Sequence, residues 1–311
     1  MNTLKPAFEE LFEAPINYPD PDMKERLGAL VGLDHHKSQL IKILSLLVNP
    51  EGLKEWSKTH HPEASKLINL MMRRPPLLVL EGDVGCGKSE LAYTIADAVA
   101  RQEKIDITLF PLSLASRGQG RVGEMTQLIS AAFDYTIDKA KKLKNQSGKS
   151  RGAVILLIDE ADALAQTREN SQMHHEDKAG VNAFIRGIDN IANGKLPAAV
   201  IMCTNRLGSL DPAIKRRAAE ILHFERPNEL QRSAVLEPTL KELGFTDKEV
   251  ENLVVVTGPN NDRSYGFTFS DLTQRLLPTI VLDAYPETAV VPLRAEELAK
   301  TIIPTSPFKE N

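Results

Sequence analysis

Glu81-Gly82-Asp83-Val84-Gly85-Cys86-Gly87-Lys88-Ser89 is the stretch that decides the fold of this chain of 311 residues. The apolar run Leu77 to Leu80 leads into it with the pattern of a buried strand. Glu90 to Arg101 lead out of it with Leu91, Ile95, Ala98 and Val99 on one helical face. Strand, glycine-rich turn and helix N-terminus, in that order, aim backbone N–H groups and the positive end of the helix dipole at a polyphosphate. Lys88 is placed to reach the β- and γ-phosphates, and Ser89 to hold Mg²⁺. The glycines permit a backbone approach that a Cβ would block. The loop predicts a nucleoside triphosphate site.

Its complement lies further along the chain. Ala153-Val154-Ile155-Leu156-Leu157-Ile158 is a continuous apolar run, the pattern of a strand buried on both faces of a parallel sheet. The run ends in Asp159-Glu160-Ala161-Asp162. Asp159 at the strand tip can organise Mg²⁺ through its water shell. Glu160, one residue on, is placed to polarise a water for attack on the γ-phosphate. Taken alone, the two carboxylates would be a solvated strand end. Paired with the loop, they predict a hydrolase.

Composition bounds the alternatives. The length allows one large core and a smaller satellite domain. A formal net charge of −4 with scattered Lys and Arg gives no support to a general nucleic-acid grip. No apolar run approaches the ~20 residues of a membrane span. The acidic, proline-punctuated Met1 to Pro21 has no signal-peptide pattern, so a cytoplasmic protein is expected. Two cysteines, Cys86 and Cys203, make no disulfide framework. Cys86 is either a small residue filling the loop or a thiol whose pKa the helix N-terminus lowers towards oxidation.

The order of elements is α/β. Asp34 is a candidate N-cap for a helix carrying Leu40, Ile41, Leu44, Leu47 and Val48. Further strands are predicted at Ile105–Leu112, Ala198–Cys203 and Ile221–Phe224, with helices between, which implies a mostly parallel sheet. After Pro227 helices follow one another without strands: Glu229–Leu243, Thr246–Thr257, Ser270–Asp283 and Arg294–Ile303, with Pro238 and Pro278 as candidate interruptions. The expected division is an N-terminal segment 1–27, a large α/β ATPase domain 28–226 and a small helical lid domain 227–311. A lid would convert hydrolysis into rigid-body motion.

The ordered set resembles the AAA+ ATPases. The strand at Ala198 ends in Thr204-Asn205-Arg206, and Asn205 is similar to the family's first sensor, which contacts the γ-phosphate and the attacking water. Leu210-Asp211-Pro212-Ala213-Ile214-Lys215-Arg216-Arg217 looks like the arginine-finger helix. The resemblance implies that Arg217, ahead of Arg216, completes a neighbouring subunit's site. It implies ATP and Mg²⁺ as cofactors, nucleotide contacts along Gly82–Glu90 and at Gly32, and metal contacts at Ser89 and Asp159. Gly266-Phe267-Thr268-Phe269-Ser270-Asp271-Leu272 resembles the opening of the second-sensor helix, with Ser270 where many members have Arg. Arg275 is either a substitute or an ordinary surface arginine. Arg121-Val122-Gly123-Glu124 resembles the first pore loop, with Arg where an aromatic usually stands, which puts sequence-blind gripping of an unfolded chain in doubt. Arg121, Val122 and Gly123 are the candidate substrate contacts; the other reading is a flexible surface connection.

Within that family the chain resembles the pachytene-checkpoint-type remodellers of HORMA-domain proteins. The resemblance is carried by Asp159 to Leu164, Arg168, Val181 to Asp189 and Arg216-Arg217-Ala218. The stretch before Gly32 is too short for a separate substrate domain, which resembles the bacterial version that accompanies HORMA proteins and cyclic-nucleotide synthases in anti-phage signalling. A homohexamer with a HORMA-domain substrate is implied. Two other readings stay open: a nucleic-acid-associated loader, which would show a concentrated basic stripe, and a slowly hydrolysing scaffold, against which Glu160 stands.

Overall fold

The apolar runs at Leu77, Ala153 and Ala198 become neighbouring strands inside one six-stranded sheet. In a computed structural model, residues 11–113, 124–145, 150–164, 174–206, 208, 210–261 and 263–308 are described. The strands are β1 (Ile16–Tyr18), β2 (Leu77–Gly82), β3 (Asp106–Ser113), β4 (Gly152–Asp159), β5 (Ala198–Thr204) and β6 (Ala218–Phe224), in spatial order β1-β3-β4-β5-β2-β6. β3, β4, β5 and β2 pair in parallel. Every residue of β5, and all of β4 except Asp159, is buried, which is why these strands are apolar without alternation. The expected α/β architecture with a mostly parallel sheet is the one the chain adopts.

β1 was not legible in the sequence. It pairs antiparallel with β3, Ile16 opposite Leu109 and Tyr18 opposite Ile107. Residues before it also enter the core: Leu11 and Phe12 are buried, and the Phe12 ring lies 5.3 Å from that of Phe110. The Tyr18 hydroxyl donates to the Tyr93 carbonyl, and Asp20 N–H to Asp97 Oδ1 at 2.8 Å. The helix Lys88–Glu103 is therefore covered on a second side, and Thr94 and Asp97 are buried with the apolar face.

Beside the sheet, the helices Glu124–Leu143 and His174–Gly194 pack closely. Phe133 and Phe184 meet edge to face at 5.4 Å. A Cβ on Gly187 would fall 2.2 Å from Phe133 Cγ, so this helix tolerates a mid-helix glycine to let the ring approach.

The chain divides into two compact units. One comprises residues 1–28, 36–81 and 89–222, the other 29–35, 82–88 and 223–311. The second unit thus contains both the phosphate-loop residues Gly82–Lys88 and the C-terminal helices. Its core is built by Leu236, Leu240, Leu253, Phe267, Leu272 and Leu276. The helices Glu229–Glu242 and Asp247–Val256 each start with a capping box, Asn228 with Gln231 and Thr246 with Glu249. Pro238 stays inside its helix. The segment expected as a helix from Ser270 is instead a π-helical turn, Asp271–Leu276, followed by the α-helix Leu277–Ala284 with Pro278 in its first turn. Proline there lacks an N–H, and a widened turn before it keeps the ring clear of the preceding carbonyls. Among the described residues no helix is long and apolar enough to cross a membrane.

Candidate nucleotide site

The parallel register sets three strand ends side by side. Glu81 is opposite Thr204, and Ile158 is opposite Met202, so β2, β5 and β4 finish at one edge. Ligands of open α/β sheets bind outside such carboxyl ends. The phosphate loop continues from the first of these strands, Asn205 from the second and Asp159-Glu160 from the third.

Loop geometry follows from its glycines. Gly82 has φ +140°, and a Cβ on it would lie 2.1 Å from the Phe224 carbonyl oxygen, so no side chain fits. Lys88 is buried, and its Nζ donates to the carbonyls of Gly82 (2.8 Å) and Asp83 (2.7 Å). The ammonium is thus held over the backbone of its own loop. Cys86 is fully buried, and burial pushes its thiol up to about 11, with Lys88 only partly opposing. Of the two sequence readings for Cys86, the filler is correct, because desolvation outweighs the nearby positive charge. Val84 is half exposed. Gly32 lies at φ +75°, and its carbonyl accepts from Gln231 Nε2 at 2.8 Å.

Ser89 Oγ donates to Asp159 Oδ1 at 3.1 Å. A hydroxyl and a carboxylate placed together are hard oxygen donors of the kind Mg²⁺ takes while keeping waters and phosphate oxygens for its other positions. The two metal candidates are therefore brought together and fit the ion. Glu90 is engaged elsewhere: Arg26 grips it with Nε to Oε1 at 2.8 Å and Nη2 to Oε2 at 2.9 Å.

Glu160 is exposed and holds a left-handed backbone at φ +52°, where a non-glycine residue is strained. Its N–H donates to Asp159 Oδ1 at 2.9 Å, which fixes the turn that swings it off the strand. Lys104 (φ +52°) and Lys195 (φ +47°) share this backbone region, so it is the place of Glu160 at a strand tip beside the hydroxyl–carboxylate pair that keeps it the candidate for the water-activating carboxylate.

Asp162 has no role in the sequence reading, yet it organises the first-sensor candidate. It accepts from Thr204 Oγ1 (2.6 Å), Asn205 N–H (3.0 Å) and Asn205 Nδ2 (2.9 Å). The Asn205 amide is thereby oriented with its oxygen free of this clamp. Asp162→Ala is expected to lower kcat for ATP between about tenfold and 100-fold, the scale of a mispositioned group, with ATP affinity within a factor of two. Asp162→Asn, which keeps one acceptor oxygen, should recover part of the loss. Steady-state kinetics with a separate binding titration check this split.

The Arg216–Arg217 pair follows a short helix, Pro212–Lys215, capped by Asp211, whose carboxylate accepts from Ala213 N–H at 2.7 Å. The two arginines differ. Arg217 makes a bidentate pair with Asp189, Nε to Oδ1 at 2.9 Å and Nη2 to Oδ2 at 3.0 Å, and the hydrogen bonds to Asp189 raise its pKa further. Arg216 Nε reaches the Pro212 carbonyl at 3.3 Å. Arg275 is paired with the buried Asp271 at 2.8 Å, one turn back on its own helix. The pore-loop candidates Arg121, Val122 and Gly123, like Arg168, lie outside the described residues.

Residues 78–226 match the model of the ATPase family associated with various cellular activities (AAA). CD-NTase-associated protein 6 of Escherichia coli (strain MS 115-1) is 65% identical over 305 residues, covering 98% of each chain. A chain in the solved structure described as the E. coli MS115-1 HORMA:CdnC:Trip13 complex is 64% identical. It superimposes with a TM-score of 0.91 over 98% of this chain and 100% of that one. The structure of a Rhizobiales Trip13 is 56% identical, with a TM-score of 0.74 over 96% of this chain and 100% of that one.

Proposed function

Because this chain belongs to the AAA family of ATPases, we propose that it spends ATP on remodelling a HORMA-domain protein, alone or bound to a cyclic-nucleotide synthase, in a bacterial anti-phage signalling system. The observation that carries the reading is the near-complete match to CD-NTase-associated protein 6 and to a chain solved with HORMA and CdnC. Identity of this extent over whole chains supports shared partners as well as shared chemistry, which a fold match alone would not. The acting form is a cytoplasmic homohexamer using ATP and Mg²⁺. Gly32, Gly82–Ser89 and the backbone of Glu90 hold the nucleotide, Ser89 and Asp159 the metal, and Lys88, Glu160, Asn205 and an arginine of the Arg216–Arg217 pair act on the phosphates. The helical part 227–311 is the lid. A bound Mg²⁺ would neutralise charge on the β- and γ-phosphates.

The direct test is disassembly. A purified complex of HORMA protein and synthase, incubated with this protein and ATP, is expected to come apart on size-exclusion chromatography. A complex that stays intact, with ATP consumed, would remove the remodelling claim.

Threading is the proposed mechanism, with a terminus of the partner drawn past Arg121, Val122 and Gly123. An arginine at the head of this loop favours a polar or acidic tail, although exposed charges contribute little without partners. Replacing Arg121 and Val122 together with Ala is expected to lower the number of partner molecules released per ATP hydrolysed at least tenfold, an order of magnitude appropriate to loss of the central contacts of an interface. Unchanged coupling in that variant would rule out this loop as the grip.

A further inference from the structure

Beyond the helix Pro292–Thr301 the chain leaves helical geometry at Ile302 and continues as Ile303-Pro304-Thr305-Ser306-Pro307-Phe308. Two prolines favour an extended strap, and Pro304 is buried. The strap is tied at several points. Thr305 gives Asp271 both its N–H (3.0 Å, to Oδ2) and its hydroxyl (2.8 Å, to Oδ1). Ser306 Oγ lies 3.4 Å from the Tyr265 hydroxyl. Phe308 N–H donates to Asp83 Oδ1 at 3.0 Å.

Two of these ties lead into the phosphate loop. Asp83 is itself a loop residue, and its second oxygen takes Arg226 Nε at 2.8 Å. Arg226 in turn donates to the Gly266 carbonyl at 2.8 Å and lies 4.9 Å over the Tyr265 ring. The other tie runs through Asp271. That carboxylate also accepts from Thr268 N–H at 3.0 Å, and the Thr268 hydroxyl accepts from Asp271 N–H at 3.1 Å. The turn so fixed presents Ser270 N–H to the Gly85 carbonyl at 3.1 Å. It sits so close that a Cβ on Gly85 would meet Thr268 Oγ1 at 2.7 Å.

The chemistry explains why the loop needs these ties. Asp83 is a carboxylate in a loop built for a polyphosphate, and like charges repel unless the carboxylate is turned away and compensated. The strap N–H and Arg226 occupy both of its oxygens. Asp271 is fully buried, where a carboxylate is tolerated only with its hydrogen bonds made, and the strap supplies two of them. We propose that Ile302–Phe308 is a positioning strap of the nucleotide site. Docked, it presets Asp83 and Gly85 for phosphate; undocked, it releases both. Strap docking and ATP affinity are then linked, each favouring the other by the same factor. This rests on the reading of Gly82–Ser89 as the ATP site.

The test titrates methylanthraniloyl-ATP in Mg²⁺ buffer into the parent chain, a chain ending at Ile303, and Thr305→Val, with Lys88→Ala as the control for the loop. The shortened chain is expected to bind about tenfold more weakly and Thr305→Val about threefold, the scale of hydrogen bonds to charged groups. Combining the shortening with Asp83→Ala should cost less than the two separate losses multiplied, because one network is removed twice. Nucleotide should also slow hydrogen exchange at the Thr305 and Phe308 amides of the parent, which a merely structural strap would not show. Binding by the shortened chain within a factor of two of the parent overturns the proposal. If the shortened chain fails to fold, parent-like binding and exchange in Thr305→Val overturn it instead. A parent chain that binds the probe no better than Lys88→Ala overturns the reading of the loop beneath it.

Discussion

Glu160→Gln is expected to stop ATP turnover while leaving ATP bound. The substitution keeps the size and backbone of the residue and removes only the ability to take a proton from water. General-base contributions of this kind are worth roughly 10²–10⁴-fold. The residue's position argues for that role over a structural one. It is exposed, strained at φ +52°, and held there by its own N–H on Asp159 Oδ1 at 2.9 Å. The φ alone does not decide this, since Lys104 and Lys195 adopt the same region; the place at the tip of a buried strand, next to Asp159 and its Ser89 partner, does. Because the carboxylate acts on the attacking water and not on ground-state phosphate contacts, kcat should fall with the ATP dissociation constant within about twofold. Lys88→Ala gives the opposite pattern, with binding weakened about 10- to 100-fold, as expected for loss of charge-assisted contacts to phosphate. Phosphate release and equilibrium binding measured on the same preparations separate the two. A Glu160→Gln protein that hydrolyses ATP at the parent rate would sink the assignment.

What the sequence made legible was whatever is encoded in consecutive residues. The run Leu77–Leu80, the glycine loop and the helix after it need no knowledge of distant parts, and neither does a buried apolar strand ending in Asp159-Glu160. β1 is of another kind. Ile16-Asn17-Tyr18 is a three-residue strand whose pairing partner, β3, lies far along the chain, so its conformation is set by an edge it meets only after folding. The Asp162 clamp on Asn205 and the Asp189 pair with Arg217 depend on where separate elements come to rest. Both acids sit in segments that carry the family resemblance, but spacing alone does not say which side chains they hold. A signal for Asp162 did exist, since a carboxylate just past one strand end and a Thr-Asn pair at another become neighbours once those strands are adjacent. The π-helical turn at Asp271–Leu276 shows the limit of periodicity, because six residues of widened helix look like ordinary helix until Pro278 is accounted for.

Substituting the finger arginine is expected to cut turnover about 10³-fold or more, the scale of arginines supplied in trans to phosphoryl transfer, and the loss should be repaired by a partner defective elsewhere. Arg216 and Arg217 both follow the Asp211-capped turn, but their surroundings differ. Arg217 has its Nε and Nη2 on Asp189 and its Nη1 on the Ala213 carbonyl at 3.2 Å, which together hold the guanidinium plane fixed, whereas Arg216 donates through Nε to the Pro212 carbonyl at 3.3 Å. A fork locked in this way is preorganised and still has N–H groups to offer a phosphate, so Arg217 remains the first choice for the finger. Arg217→Ala and Arg216→Ala are therefore to be mixed separately with Lys88→Ala subunits over a range of ratios. In a ring where each site is shared, an intact loop on one subunit can meet an intact arginine on its neighbour, and activity returns at those boundaries alone. Recovery for Arg217→Ala with little loss in Arg216→Ala alone would assign the finger; recovery only for Arg216→Ala would reverse the assignment and make Arg217 a brace. No recovery at any ratio, with mixed rings shown to form by cross-linking, would count against action across subunits. Asp189→Asn sharpens the result: loss of the bidentate brace should lower kcat in the same direction as Arg217→Ala but by less, because the arginine is then mispositioned instead of absent.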